Sequence, residues 1–266
     1  MVRLQLPPDE RLKTRVQRPG AGPAPVRTAR ALILAAGRGQ RMRPMTDDRP
    51  KPLLPVQGKP LIEWHLLALA AAGVREVVVN TAWLEDQFPA ALGDGSRWGL
   101  RLIYSQEGRH HGGALETAGG IAAALHHLAP GGDEPFWVVS GDIHAPAFGF
   151  DAAHVSAFAE SQDLGLLWMV PNPAFHPRGD FTLDGAGRLH GVRPTSPEQP
   201  MGTPLTYANF ALLRPAIVQG LVPGQRAALG PLLHAASDVN RLAGLRWDGA
   251  WANVGTPEQW RALQPS

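Results

Sequence analysis

Residues 31–46 read Ala-Leu-Ile-Leu-Ala-Ala-Gly-Arg-Gly-Gln-Arg-Met-Arg-Pro-Met-Thr, and Pro50-Lys51-Pro52 follows after three more residues. The apolar run over 31–35 predicts a buried strand that opens into a glycine-rich turn. Gly37 and Gly39 let the backbone approach a ligand closely and take dihedrals that side chains disfavour. Successive exposed N–H groups in such a turn make an anion-binding concavity. Arg41 can fork onto phosphate oxygens, and Lys51 supplies a point charge on a backbone stiffened by its flanking prolines. The spacing is neither that of a P-loop, which needs Gly-Lys-Ser/Thr, nor that of the dinucleotide fingerprint. With Pro-Lys-Pro included, the run describes a cradle for a nucleoside triphosphate.

Working outward, the composition sets bounds. The chain has 266 residues, 44% of them hydrophobic, enough for one large core or two small ones. It has no cysteine, which excludes disulfides, thiolate catalysis and zinc–thiolate sites. No apolar run reaches the length of a membrane span, and the N-terminus lacks the apolar core of a secretory signal, so a cytoplasmic protein is expected. Residues 1–30 carry seven basic side chains against Asp9 and Glu10, a net of +5; with +2 for the whole chain, the remainder carries −3. A mildly acidic body argues against nucleic acid as the main partner. The Pro/Gly/Arg-rich segment 1–29 reads as a disordered tail: a solvated leader, a misplaced start, or an arm that touches RNA or membrane. Only three of the 25 Lys+Arg are lysine (Lys13, Lys51 and Lys59), so the lysine in the phosphate turn stands out.

Strand and helix patterns alternate across the body, which predicts an α/β fold. Strands are expected over 31–35, 76–81, 100–105, 136–140, 164–170, 205–212 and 245–254. Helices are expected over 60–72, 84–92, 115–128, 151–160 and 230–238, with a last one capped by Thr256 and opened by Pro257. Asp184-Gly185-Ala186-Gly187 signals a hairpin between 181–183 and 188–192. Asp142 ends the strand 136–140 in Val-Ser-Gly-Asp. Ligands of open α/β sheets sit beyond the carboxyl ends of strands, and a carboxylate there suits Mg²⁺. A plain turn with an Asx hydrogen bond is the other reading. The pairs His110-His111 and His126-His127 read as solvated, because adjacent side chains point to different faces and no carboxylate sits at ligand spacing.

Residues 31–61 resemble the signature of the nucleotidyltransferases that activate sugar 1-phosphates, and further matches extend the resemblance over residues 30–264. The resemblance implies a single Rossmann-like domain over 30–266 with a mixed, mostly parallel central sheet, and no added β-helix or acyltransferase domain. It implies an NTP and a sugar 1-phosphate as substrates, and Mg²⁺ as cofactor. It places Leu34, Ala35, Ala36, Gly37 and Gly39 on the nucleotide and makes Arg41 and Lys51 catalytic. Asp142 matches the family's Gly-Asp metal ligand. Asn253 falls at the second ligand position, where many relatives have Asp; its amide oxygen can still coordinate, with one negative charge fewer, or it can bond a neighbouring backbone. Leu115-Glu116-Thr117-Ala118-Gly119-Gly120 resembles the base-reading segment and also reads as a helix start capped by Thr117 or Glu116. Asn80 and Trp83 resemble pocket-wall residues, Trp83 equally a core residue. Gly179, Asp180 and Asn209 match sugar-contact positions, although Asp180 can equally just lead a strand into its hairpin.

Within the family, the segment 116–120, the loop 178–181 and the chain length look most like uridylyltransferases of N-acetylmuramate 1-phosphate, which salvage a peptidoglycan sugar and favour UTP. Gly93-Asp94-Gly95-Ser96-Arg97-Trp98-Gly99 and Tyr104-Ser105 are shared with mannose 1-phosphate guanylyltransferases, the close alternative. A regulatory subunit that binds sugar nucleotide without turnover is the alternative of another class, and Asn253 is the feature that keeps it open.

Overall fold

The computed structural model describes residues 29–192 and 202–265, so the expected tail lies, but for Ala29, outside the described residues. Strand β1 (Ala31–Leu34) runs into the glycine turn. A small hairpin follows, β2 (Pro55–Val56) and β3 (Lys59–Pro60), turned at Gln57 and Gly58. Both turn residues have positive φ, as a type I′ turn requires. Helix α1 (Leu61–Ala71) leads to β4 (Glu76–Thr81), α2 (Gln87–Leu92), β5 (Arg101–Gln106) and the short α3 (Glu107–His111). Helix α4 (Glu116–Leu128), β6 (Phe136–Ser140) and β7 (Ile143–His144) come next. Helix α5 (Ala152–Glu160) is N-capped by Asp151, whose carboxylate accepts the Ala153 N–H at 2.8 Å. Strand β8 (Gly165–Val170), the hairpin β9 (Phe181–Leu183) and β10 (Leu189–Gly191), and the long β11 (Thr203–Leu213) follow. Helix α6 (Gly230–Asp238), β12 (Leu242–Arg246), β13 (Ala252–Asn253) and α7 (Pro257–Arg261) complete the body.

Among the described residues, nine strands form one mixed sheet. One side of it is the parallel run β5-β4-β1-β6, with β5 at the edge. Strand β11 joins β6 antiparallel and also pairs with β8 and β9; β12 lies parallel to β8. Both faces are covered, which is why the central strands read as unbroken apolar runs rather than alternating ones. On one face Ile33, Val77, Val79, Trp137 and Val139 meet Ile62, Leu66 and Leu69 of α1. On the other Leu32, Val78, Phe136 and Val138 meet Ala118, Ile121, Ala124 and Leu128 of α4, with Leu233 of α6 beyond. A third, smaller cluster of Met42, Leu54, Val56, Leu61 and Val254 anchors the glycine turn and the hairpin. No helix among the described residues is long and apolar enough to cross a membrane.

Two expected elements change. The helix placed over 84–92 starts only at Gln87, because Leu84 has a φ of 50° that no right-handed helix accepts. The strand placed over 245–254 is two strands in different sheets. Strand β12 runs earlier, along β8, and the Trp247 N–H extends that pairing to the Met169 carbonyl at 2.8 Å. The chain then turns at Gly249, packed tightly against the Trp247 indole, and β13 pairs with β7 instead. The loop 171–180 and the irregular pairing of β11 were also beyond simple periodicity.

Phe210 sits at the heart of the first core face, stacked on Phe148 at 3.8 Å and 11°. Phe210→Ala should destabilise the fold by about 3–5 kcal/mol. Urea unfolding measures this; a loss below about 1 kcal/mol would show that the aromatic cluster does not support the sheet.

Candidate active site

Three adjacent parallel strands end side by side: Leu34 stands in register with Asn80 of β4 and with Ser140 of β6. A buried network ties these ends together. The Ala35 N–H donates to Asn80 Oδ1 at 2.7 Å, and Asn80 Nδ2 donates to Glu107 Oε1 at 2.7 Å. Glu107 Oε2 accepts the Leu115 N–H at 2.8 Å. Burial pushes the Glu107 carboxyl above its ordinary range, against the pull of the Leu115 and Asn80 hydrogen bonds. Gly120 makes room for this network: a Cβ there would lie 2.6 Å from Asn80 Nδ2 and 2.7 Å from Glu107 Oε1. Asn80 is thus cavity wall and structural pin at once. The Asn80–Glu107 link had no signal beyond an acidic residue at a strand end.

The turn after β1 is held from behind. Gly39 is left-handed (φ 66°, ψ 35°), and its carbonyl accepts the Thr46 hydroxyl at 2.9 Å. The Trp83 indole N–H donates to the Thr46 carbonyl at 2.9 Å, while the Arg38 guanidinium lies 4.1 Å over the Trp83 ring. Trp83 is the backstop of the turn, and it lines a side cavity together with Ala36 and Arg38. Lys51 opens a 3-10 turn directly after Pro50. Its Nζ lies 2.6 Å from Asp142 Oδ2, with both side chains mostly buried. Asp142 is fixed on two sides: the Gly141 N–H donates to the Leu34 carbonyl, and the Asp142 carbonyl accepts the Val254 N–H, each at 2.9 Å. Pairing of β7 with β13 sets Asn253 opposite Ile143, next to Asp142 in the chain.

These groups line a cavity of about 560 Å³. Leu34, Ala35, Ala36, Gly37, Gly39, Arg41, Lys51, Asn80, Glu116, Thr117 and Asp142 all face it. So do Arg38, Ser140, Arg226 and Gly255, which sequence reasoning passed over. Ser140 was within reach, as the residue that ends β6 beside Leu34. Arg226 was not, since one more arginine in a loop carries no pattern.

The start of α4 is capped from outside, not by its own side chains. The Ala118 and Gly119 N–H groups donate to the Ala227 carbonyl at 2.9 and 3.1 Å, and the Thr117 hydroxyl oxygen accepts the Leu229 N–H at 2.7 Å. Glu116 has φ 63°, and its carboxylate pairs with Arg226 at 2.7 Å. The reading of Thr117 or Glu116 as a local cap is corrected accordingly: a segment more than a hundred residues downstream satisfies those donors.

A second cavity, about 270 Å³, takes Asp180, Asn209 and Asn253 together with Phe175, His176, Phe181, Tyr207, His234 and Trp251. Gly179 does not line it; at φ 68° its backbone packs so closely on Leu205 that a Cβ would come within 2.6 Å of the Leu205 carbonyl. Asp180 has both oxygens engaged, Oδ1 with His176 Nε2 at 3.0 Å and Oδ2 with the Tyr207 N–H at 2.8 Å. Asn209 has φ 63°, where the register of β11 on β8 slips. The slip turns its side chain toward Ser140, whose hydroxyl approaches Asn209 Oδ1 at 3.4 Å. The two cavities meet along that contact and the Asp142–Asn253 boundary.

Among the described residues no group of three or more His, Asp or Glu is arranged as a metal cage. The donor set at the boundary suits a cation that relies on substrate oxygens for most of its shell. Asn253 Oδ1 is buried and has no hydrogen-bond partner, the state expected of an amide oxygen kept for a ligand. Asp142 supplies the charge, and Lys51 neutralises it here. Of the paired histidines, His110 and His111 are exposed on α3, and the rings of His126 and His127 lie 3.8 Å apart at a 42° tilt at the end of α4.

Comparison with known proteins matches residues 30–178 to the nucleotidyl transferase family model. The chain is 45% identical over 230 residues to an N-acetylmuramate alpha-1-phosphate uridylyltransferase from Neisseria meningitidis serogroup B, covering 85% of this chain and 93% of that one. A second protein of that name, from Caulobacter vibrioides, is 35% identical over 238 residues, covering 86% and 92%. The fold matches a crystal structure of a Bacillus anthracis protein assigned as a glucose-1-phosphate thymidylyltransferase (TM-score 0.68, 19% identity, 88% and 93% covered).

Beneath the site lies His65, fully buried, with Nε2 unpartnered. Burial lowers its pKa to about 4, against smaller upward pulls from the Ile143 backbone and the Asp142 charge. The unfolded chain then binds a proton that the folded one refuses, so stability falls as pH drops from about 6.5 to about 4. The shift corresponds to a loss of about 3 kcal/mol. Urea midpoints measured between pH 7 and pH 4 should show this slope, and His65→Leu should flatten it; an equal slope in both proteins would contradict the assignment.

Proposed function

The chain belongs to the nucleotidyl transferase family, and on that premise we propose that it transfers the uridylyl group of UTP to N-acetylmuramate 1-phosphate with release of pyrophosphate. The observation that carries this reading is the 45% identity to a uridylyltransferase of that sugar, over nearly the whole of it. The glycine turn, Lys51 and Asp142, gathered on one cavity, supply the chemistry. The nucleotide occupies the larger cavity, the acceptor the smaller, and the reacting groups meet at their boundary. In this reading the reaction runs in the cytoplasm and returns a cell-wall sugar to its nucleotide-activated form.

The nucleophile is an oxygen of the acceptor phosphate, whose second pKa near 6 leaves it largely ionised at neutral pH. No general base is needed. The barrier lies in bringing two polyanions together, so positioning and charge neutralisation do the catalysis. Arg41 and the N–H groups of the turn hold the β- and γ-phosphates that depart. Lys51, which balances Asp142 in the free protein, steadies the α-phosphate and the incoming phosphate. Asp142 and Asn253 would hold Mg²⁺, which when bound neutralises charge on the phosphates of both partners. Asn253 gives that site one negative charge fewer than a carboxylate would.

Pyrophosphate release should be highest with UTP and N-acetylmuramate 1-phosphate on a grid of four nucleotides and several sugar 1-phosphates. Preference for GTP and mannose 1-phosphate would transfer the chain to the guanylyltransferases. Nucleotide binding without any release would select the regulatory alternative. Lys51→Ala should lower kcat by roughly 10²-fold or more; near-normal turnover in that variant would refute its role.

A further inference from the structure

The smaller cavity has an end that the nucleotidyl transfer does not use. Asn209 and Asn253 reach toward the larger cavity through Ser140 and the β7–β13 pairing beside Asp142, whereas among the described residues no contact ties His176 or His234 to residues of that cavity. Both imidazoles are attached to the same short stretch of chain. His176 is fixed through Nε2 to Asp180 Oδ1 at 3.0 Å, and His234, from α6, lies over the ring of the next residue, Phe181, at 4.7 Å and 30°. Gly191 of β10 leaves the space that His234 fills: a Cβ there would come 2.6 Å from His234 Nδ1. Among the described residues, neither ring nitrogen of His234 has a hydrogen-bond partner.

The other lining groups leave a specific gap in charge. Among the described residues no lysine or arginine faces this cavity, and the one carboxylate that does, Asp180, has both oxygens engaged. Phe175, Phe181 and Trp251 offer apolar faces of the kind that pack on a sugar ring. An acceptor with a second anionic group, placed this close to Asp142, needs a positive or N–H partner to offset its desolvation. The amides of Asn209 and Asn253 offer N–H groups, and among the described lining residues His234 and His176 are the groups that can also carry positive charge.

We propose that His234, seated on Phe181 and aided by His176, recognises the carboxylate of an acidic acceptor sugar and sets the enzyme's preference for it over neutral sugar 1-phosphates. The inference rests on the reading of N-acetylmuramate 1-phosphate as acceptor, since its lactyl ether carries such a carboxylate and N-acetylglucosamine 1-phosphate lacks it. Asp180 then has a positioning role: it holds His176 by one ring nitrogen and leaves the other for the substrate.

The test measures KM and kcat for UTP with N-acetylmuramate 1-phosphate, and the inhibition constant of N-acetylglucosamine 1-phosphate, in the wild-type protein, His234→Leu and His234→Arg. A hydrogen bond to a charged group is worth enough to predict a rise of roughly 10-fold or more in the acidic acceptor's KM for His234→Leu. The KM for UTP and the inhibition constant of the neutral sugar should stay within about twofold of wild type, and His234→Arg should restore the acidic acceptor's KM. An unchanged acceptor KM in His234→Leu would overturn the inference, as would a parallel rise in all three constants that His234→Arg does not reverse. Wild-type protein that turns over other acceptors but not N-acetylmuramate 1-phosphate would instead remove the reading of the substrate, and this inference with it.

Discussion

One ion pair organises the site: Lys51 Nζ against Asp142 Oδ2 at 2.6 Å. It joins the turn after β1 to the end of β6, two segments more than ninety residues apart in the chain. Each charge is largely withdrawn from water, and either alone would be costly to bury. Together they keep the floor of the cavity near neutrality until a polyanion arrives. The other devices serve this pair. The Gly141 N–H on Leu34 and the Asp142 carbonyl under Val254 fix the carboxylate, and Pro50 with the 3-10 turn fixes the lysine. The backstop of Thr46, Trp83 and Arg38 keeps the glycine turn open in front of it.

The chemistry follows from that arrangement. In the reaction proposed above, the phosphate acceptor arrives already ionised, so no proton has to be removed and no covalent intermediate is called for. What the protein supplies is a place where two anionic groups approach within bonding distance. Two cavities touch at Ser140 and Asn209, the geometry that the proposed reaction asks for, and Asn253 stands near that seam with an unpartnered oxygen.

Much of this was legible in the sequence because it is local. The run of 31–52 reads directly as a strand opening into a glycine turn with a lysine beside it, and Val-Ser-Gly-Asp at the end of β6 reads as a carboxylate at a strand end. Both depend on residues close together in the chain, and the apolar runs of β1, β4 and β6 announce a sheet covered on both faces. What escaped depends on distant segments. Residues 225–229 cap α4, so nothing near Thr117 could reveal it. The bulge at Asn209 and the switch of strand partner at Gly249 arise from packing across the sheet, and no period in the sequence encodes them. Gly179 looked like a ligand contact because glycine is ambiguous: it marks close approach, here by the protein's own backbone at Leu205.

The central claim is a single direct displacement, with the acceptor phosphate attacking the nucleotide and no nucleophile of the protein intervening. The most direct measurement is the stereochemical course of the reaction with UTP made chiral by sulfur substitution at the α-phosphorus. One in-line displacement predicts inversion of configuration in the nucleotide-sugar product. Retention would mean two displacements through a covalent nucleotidyl-protein intermediate, and would contradict the account.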